Sequence, residues 1–196
     1  MGMRMPLHRG IATEPAVPGP TRGVYFIASD EVLEFTIAFL NSFRMHNPDL
    51  PLCLVPFSDC VDKTLAKQSA FDFSVWSDHS ALRRCDAIST QFHGSPTGQY
   101  RKLALWEGCY DEFVYIDVDT VVLTSLDFVF PLVRIFGLLT SHSDIPSIRK
   151  WVWKDSIETA RVLTPRQLRF SASTGFVASV RGNLSLDEAV RKLPKL

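Results

Sequence analysis

Nothing in this sequence stays apolar for long enough to cross a bilayer, which takes about 20 consecutive apolar residues. Neither sign of charge dominates: 21 Lys and Arg balance 21 Asp and Glu, and no basic block stands out. That balance argues against nucleic acid as a main partner. Arg83-Arg84 and Arg101-Lys102 are small basic pairs of a kind more often solvated than functional. A secretory signal is missing as well. Residues 1–22 hold Arg4, His8, Arg9 and four prolines but no apolar segment, and they read as a disordered leader or a mis-called start. No two of the four cysteines, Cys53, Cys60, Cys85 and Cys109, form a C-x-x-C pair, so a zinc site is not indicated. Without a signal peptide they are expected to be reduced, partly buried thiols, and the protein cytoplasmic.

What is present suffices for a core. The chain is 46% hydrophobic and 21% charged, as ordinary globular proteins are. Its 196 residues are enough for one domain, expected over residues 23–196.

The most informative stretch is FVYIDVDTVVL, Phe113 to Leu123. An apolar run that does not alternate reads as a strand covered on both faces. Asp117-Val118-Asp119 stands where that strand ends, at the sheet edge that binds ligands in open α/β folds. Two carboxylates one residue apart can turn toward one hard cation. Carboxylate oxygens suit Mg²⁺ or Mn²⁺, with water and phosphate oxygens completing the shell. The plainer reading is a strand that ends in a solvated acidic turn.

Strands and helices alternate along the chain. Gly23 to Ala28 reads as the first strand, with Ser29 or Asp30 capping a helix that begins near Glu31. Val32, Phe35, Phe39 and Phe43 recur on that helix at core spacing, and Asn47-Pro48 ends it. A strand over residues 50–57, a short helix over 59–68 and a short strand over 71–75 follow. Residues 78–91 and 99–110 read as helices on either side of a Gly/Pro/Ser loop at 94–98. Beyond the D-x-D, residues 125–133 and 148–161 read as helices and 135–140 and 176–180 as strands. Ser185 with Glu188 forms a capping box for a helix over 185–193. This order predicts an α/β fold, a mostly parallel central sheet flanked by helices.

Three patches make the sequence resemble the nucleotide-sugar-dependent glycosyltransferases of the GT-A fold, most of all the glycogenin-like group and its bacterial relatives. They are FIASD at Phe26 to Asp30 with the following LNSF at Leu40 to Phe43, YRKLALW at Tyr100 to Trp106 just upstream of the D-x-D, and STGFVAS at Ser173 to Ser179. The resemblance implies a metal-dependent glycosyltransferase that moves a sugar from a nucleotide-sugar donor, expected to be a UDP-sugar, to an unknown acceptor. Asp117 and Asp119 would bind Mn²⁺ or Mg²⁺. Lys102 would lie near the diphosphate, with Arg101 as the alternate. Ala28, Ser29, Asp30 and Val118 would line the nucleotide pocket, and Gly175, in a small-residue turn with Ser173 and Thr174, would lie beneath the sugar. The catalytic set is then Asp117, Asp119 and Lys102. Two departures stand out: Ser173 replaces the usual asparagine, and His142, the only histidine after Asp119, precedes the third patch. The family's third metal ligand comes from later in the chain, so the domain is expected to lack its C-terminal portion.

Two other readings compete. D-V-D-T-V after an apolar strand also fits the first motif of haloacid dehalogenase-type phosphohydrolases, where Asp117 would be the nucleophile. Against it, a long α/β segment precedes the motif, and Asp144, Asp155, Glu158 and Asp187-Glu188 do not form the later acidic pair it needs. The other is a non-catalytic nucleotide-binding remnant.

Overall fold

A computed structural model describes residues 21–141, 164–166 and 173–192. The chain runs β1 (Arg22–Ala28), a 3₁₀ turn (Asp30–Val32), α1 (Leu33–His46), β2 (Leu52–Pro56), α2 (Asp62–Leu65), α3 (Gln68–Phe71), β3 (Ser74–Val75) and α4 (His79–His93). A 3₁₀ segment (Gly98–Glu107), β4 (Glu112–Ile116), α5 (Val129–Phe136), β5 (Leu138–Ser141), β6 (Ser173–Val180) and α6 (Leu186–Lys192) complete it. The six strands form one sheet in the order β3-β2-β1-β4-β6-β5. β1 pairs in parallel with β2 and β4, and β2 with β3, while β6 runs antiparallel to both neighbours. The expected mostly parallel α/β sheet is therefore present.

Central strands are buried on both faces because both carry helices. Val24, Phe26, Val114 and Ile116 pack with Phe39, Leu40 and Phe43 of α1 and Val129, Phe130 and Val133 of α5. Tyr25, Ile27, Phe113 and Tyr115 pack with Leu82, Cys85 and Ile88 of α4 and with Leu105, Trp106 and Leu186. This two-faced burial explains the lack of alternation in the sequence. Among the described residues no helix is long and apolar enough to cross a membrane. Cys53 and Cys85 are buried and Cys60 and Cys109 exposed, all as free thiols.

Several elements differ from the sequence reading. The expected helix at 99–110 is a 3₁₀ segment ending at Glu107. Its start is wedged against β2's end: a Cβ on Gly98 would come within 2.1 Å of the Phe57 carbonyl oxygen. α5 lies later than residues 125–133 and runs through Phe136, so β5 starts only at Leu138, after Gly137 at φ +73°. Ser173 to Gly175 is not a turn before a strand but the start of β6, whose pairing with β5 shifts register between Thr140 and Ser141. Phe35, expected in the core, is 58% exposed. In place of one helix over 59–68 the chain forms α2 (Asp62–Leu65) and then α3 (Gln68–Phe71), separated by Ala66 and Lys67. β1 starts one residue early, where Arg22 Nε donates to Glu112 at 2.9 Å. The leader at 1–20, the helix expected at 148–161, His142, Asp144, Asp155 and Glu158 lie outside the described residues.

Candidate active site

The chain lays β2 and β3 on one side of β1 and β4 on the other. The strand order therefore reverses between β1 and β4, and a crevice opens outside their carboxyl ends, the usual ligand position in open α/β sheets. Asp117 and Asp119 follow β4 directly. A cleft of about 390 Å³ opens there, with Lys102, Asp117, Val118 and Asp119 in its lining and Ile27, Phe35 and Phe57 among its apolar walls. With three residues per 3₁₀ turn, Gln99 and Lys102 stack on one side, and both face this cleft.

Asp117 is the centre of the local network. Its N–H donates to the Gly175 carbonyl at 2.9 Å, and its own carbonyl accepts from Thr120 N–H at 3.2 Å. Lys102 Nζ donates to Asp117 Oδ1 at 2.8 Å and to the Thr174 carbonyl at 3.3 Å. The Tyr115 hydroxyl donates to the same Oδ1. Burial, joined by the Asp117 charge, pushes the Tyr115 phenol well above its usual range, so it stays protonated and serves as a donor. Lys102 Nζ also stands 4.8 Å from the centre of the Tyr115 ring, within cation–π reach. Sequence reasoning missed Tyr115. The available signal was strand periodicity: residues two apart point to the same side, which aims Tyr115 and Asp117 together.

Oδ1 of Asp117 is thus committed to the Lys102 ammonium and the Tyr115 hydroxyl, and Oδ2 is left toward Gly175. A Cβ built there would stand 3.3 Å from Oδ2, so the glycine gives the carboxylate its room. Its φ is not in the left-handed region, and close approach rather than backbone conformation is its use. Asp119 is exposed and makes no hydrogen bond or ion pair among the described residues. Asp117 Oδ2 and Asp119 are hard oxygen donors that suit Mg²⁺ or Mn²⁺. Among the described residues no group of three His, Cys, Asp or Glu could hold a metal.

The remaining site candidates, Ala28, Ser29, Asp30 and Arg101, are not among the residues lining this cleft. Ala28 packs into the core beneath α1, and Ser29 is 3% exposed without a capping bond to the turn that follows it. Asp30 caps a different helix. Its carboxylate accepts from Lys63 N–H, Thr64 N–H and Thr64 Oγ1 at 2.9–3.0 Å, the donors at the start of α2. Desolvation opposes this charge, yet those bonds hold the Asp30 carboxyl below the usual range. Arg101 points away from Asp117. Its Nε and Nη2 donate to Asp86 at 2.9 and 2.7 Å and its Nη1 to the Pro56 carbonyl at 2.7 Å, beside a separate cleft of about 660 Å³.

No protein-family model matches the chain, and no curated protein does. Solved structures match its fold. One is the galactosyltransferase LgtC in complex with donor and acceptor sugar analogs, at 15% identity and TM-score 0.51, over 86% of this chain and 59% of that one. Another is the bifunctional glycosyltransferase WbbM, at 16% identity and TM-score 0.55, over 92% of this chain and 34% of that one. A third is glucosyl-3-phosphoglycerate synthase of Mycobacterium tuberculosis, solved with Mn²⁺, UDP-glucose and phosphoglyceric acid, at 19% identity and TM-score 0.52, over 87% of this chain and 63% of that one. This chain has the GT-A fold of these nucleotide-sugar glycosyltransferases, and it spans less than two thirds of the length of each. These matches do not single out a glycogenin-like subgroup.

Proposed function

We propose that the protein is a metal-dependent glycosyltransferase whose nucleotide-sugar donor lies in the cleft at the carboxyl ends of β1 and β4. One observation carries the reading. Two carboxylates, Asp117 and Asp119, stand at the strand-order reversal of a GT-A sheet, beside Lys102, with Asp117 Oδ2 and both Asp119 oxygens unclaimed among the described residues. The donor is a UDP-sugar in this reading. Its base packs on the apolar wall of Ile27, Phe35 and Phe57, and its diphosphate lies toward Lys102.

In the transfer, the acceptor hydroxyl oxygen forms a bond to the anomeric carbon as the bond from that carbon to the diphosphate breaks. The nucleoside diphosphate leaves with the electron pair, and the acceptor proton passes to the released phosphate or to solvent. Asp117 and Asp119 would hold a Mn²⁺ or Mg²⁺ ion, which supplies charge neutralisation on the diphosphate. Lys102 adds a second positive charge where the leaving group becomes more negative. Tyr115 keeps the Asp117 carboxylate in one orientation, so little reorganisation is needed on donor binding.

Calorimetric titration of UDP with and without Mn²⁺ tests the reading. UDP is expected to bind only with the cation, and Asp119→Ala is expected to abolish the metal-dependent part. Asp119 is exposed and unpaired among the described residues, so this change leaves folding intact. Equal UDP affinity in both conditions would sink the proposal. A Mg²⁺-dependent p-nitrophenyl phosphatase activity lost in Asp117→Asn would restore the phosphohydrolase reading.

A further inference from the structure

A second cleft, of about 430 Å³, opens beside the same strand end, and Gly175 in its lining adjoins the Asp117 carboxylate. The donor cleft takes Ile27 and Tyr115, whose side chains belong to the layer under α4, together with Val32 and Val118, which belong to the layer under α1. This one takes Ile116, Val122 and Leu126, which belong to the layer under α1 and α5. Gly175 lines it, and Gly175 is also the residue whose missing side chain opens toward Asp117 Oδ2. The two clefts therefore meet at the Asp117–Gly175 contact. The size suits a small-molecule site.

Its chemistry differs from that of the donor cleft. Among the described residues its lining carries no charged side chain, and its polar groups are the hydroxyls of Thr120, Thr124 and Ser141 plus backbone. Val121 and Leu123 stand at its wall 58% and 77% exposed. They flank Val122, which is only 5% exposed. Val122 N–H donates to Ser42 Oγ at 3.1 Å, and Leu126 N–H to Asn47 Oδ1 at 2.8 Å. Both acceptors belong to the α1 end, so the segment is anchored and holds the two apolar side chains outward. Two exposed apolar side chains on an anchored segment beside a reaction centre mark a surface made to be covered.

We propose that this cleft is the acceptor subsite, and that the acceptor is amphipathic: a hydroxyl-bearing head on an apolar alkyl or aryl body. The inference rests on the glycosyltransferase reading. The head reaches the anomeric carbon past Gly175, and the body covers Val121 and Leu123. A purely polar sugar would leave both residues wet, and among the described lining residues there is no cation for a phosphate or carboxylate acceptor.

The test uses the full chain with Mn²⁺ and UDP. Three probes are titrated by calorimetry: n-octyl β-D-glucoside below its micellar range, phenyl β-D-glucoside, and glucose. At least one glycoside is expected to bind about tenfold or more tighter than glucose, because only it buries apolar surface. A stronger alkyl arm points to a lipid-like body and a stronger aryl arm to a small aromatic one. Leu123→Asp and Val121→Asp, both surface changes, are expected to weaken that binding about tenfold while leaving UDP–Mn²⁺ affinity unchanged. Glucose binding as tightly as both glycosides would overturn the assignment. So would glycoside binding indifferent to both variants, or no glycoside binding, which would mean that another part of the chain or a second copy fills the cleft. If UDP–Mn²⁺ still binds in those cases, the acceptor inference fails alone. If UDP–Mn²⁺ does not bind, the transferase reading fails first.

Discussion

Replacing Gly175 by alanine adds one methyl group where β6 passes the carboxylate of Asp117. The new carbon would stand 3.3 Å from Asp117 Oδ2 and 4.0 Å from Ser173 Oγ, so the first contact is tight by a few tenths of an ångström. Backbone relief is restricted because Asp117 N–H is bonded to the Gly175 carbonyl at 2.9 Å. Oδ1 is held by Lys102 at 2.8 Å and by Tyr115. The carboxylate must therefore turn off its rotamer, at a cost of about 0.5–1.5 kcal/mol for a turn of ~30°. Alanine in a strand recovers roughly 0.5–1 kcal/mol of backbone entropy relative to glycine. The two terms nearly cancel, and the melting temperature is expected to move by no more than about 2–4 °C. Donor binding has no such offset. Metal sites tolerate ligand displacements of only about 0.2 Å. A loss of about tenfold in UDP–Mn²⁺ affinity is expected, equivalent to roughly 1.4 kcal/mol. Calorimetric titration beside a thermal melt reads both quantities. An unchanged melt with affinity within about twofold of the parent would refute the role given to Oδ2.

Lys102→Ala should cost little stability, at most about 1 kcal/mol, because the Lys102–Asp117 pair is partly solvated. It should weaken UDP–Mn²⁺ binding by about tenfold or more, the scale of one charged hydrogen bond, and a titration showing no weakening would remove Lys102 from the site. Burial raises the Cys53 thiol to about 11 and the Cys85 thiol to about 12. In the native protein at pH 8 a thiol reagent is therefore expected to label Cys60 and Cys109 quickly and the other two only after unfolding, which mass spectrometry of the labelled peptides would check. Asp111 accepts from Thr21 N–H, from Thr21 Oγ1 and from Arg181, and these partners hold its carboxyl below the usual range. A depressed folded value means stability that is present above the unfolded value of about 3.9 and lost as pH falls through the folded one. The melting-temperature gap between the parent and Asp111→Asn should accordingly be open at pH 6 and close toward pH 2.5, and a gap independent of pH would contradict this.

The sequence by itself determined the sheet and the place of its chemistry. Uninterrupted apolar runs at Gly23 to Ala28 and Phe113 to Ile116 specify strands covered on both faces, and two carboxylates after the second run can only stand at its carboxyl end. Ser185 announced α6, because capping is local chemistry: Ser185 Oγ accepts from Glu188 N–H, and Asp78 Oδ1 caps α4 in the same way, accepting from Ser80 and Ala81 N–H. Tertiary structure decided which polar groups remain free. Asp30 and Arg101 carry the right chemistry for a nucleotide pocket, but Asp30 is bonded to α2, 33 residues away, and Arg101 to Asp86, and no local pattern encodes such long-range pairings. Gly175 looked like a turn residue, whereas its use is steric and exists only because antiparallel pairing brings β6 beside the end of β4. Phe35 likewise fits a core by sequence, and Leu123 closes the apolar run after the D-x-D. They are exposed because they lie at cleft walls, and a cleft wall is a property of how elements pack against one another rather than of any one of them.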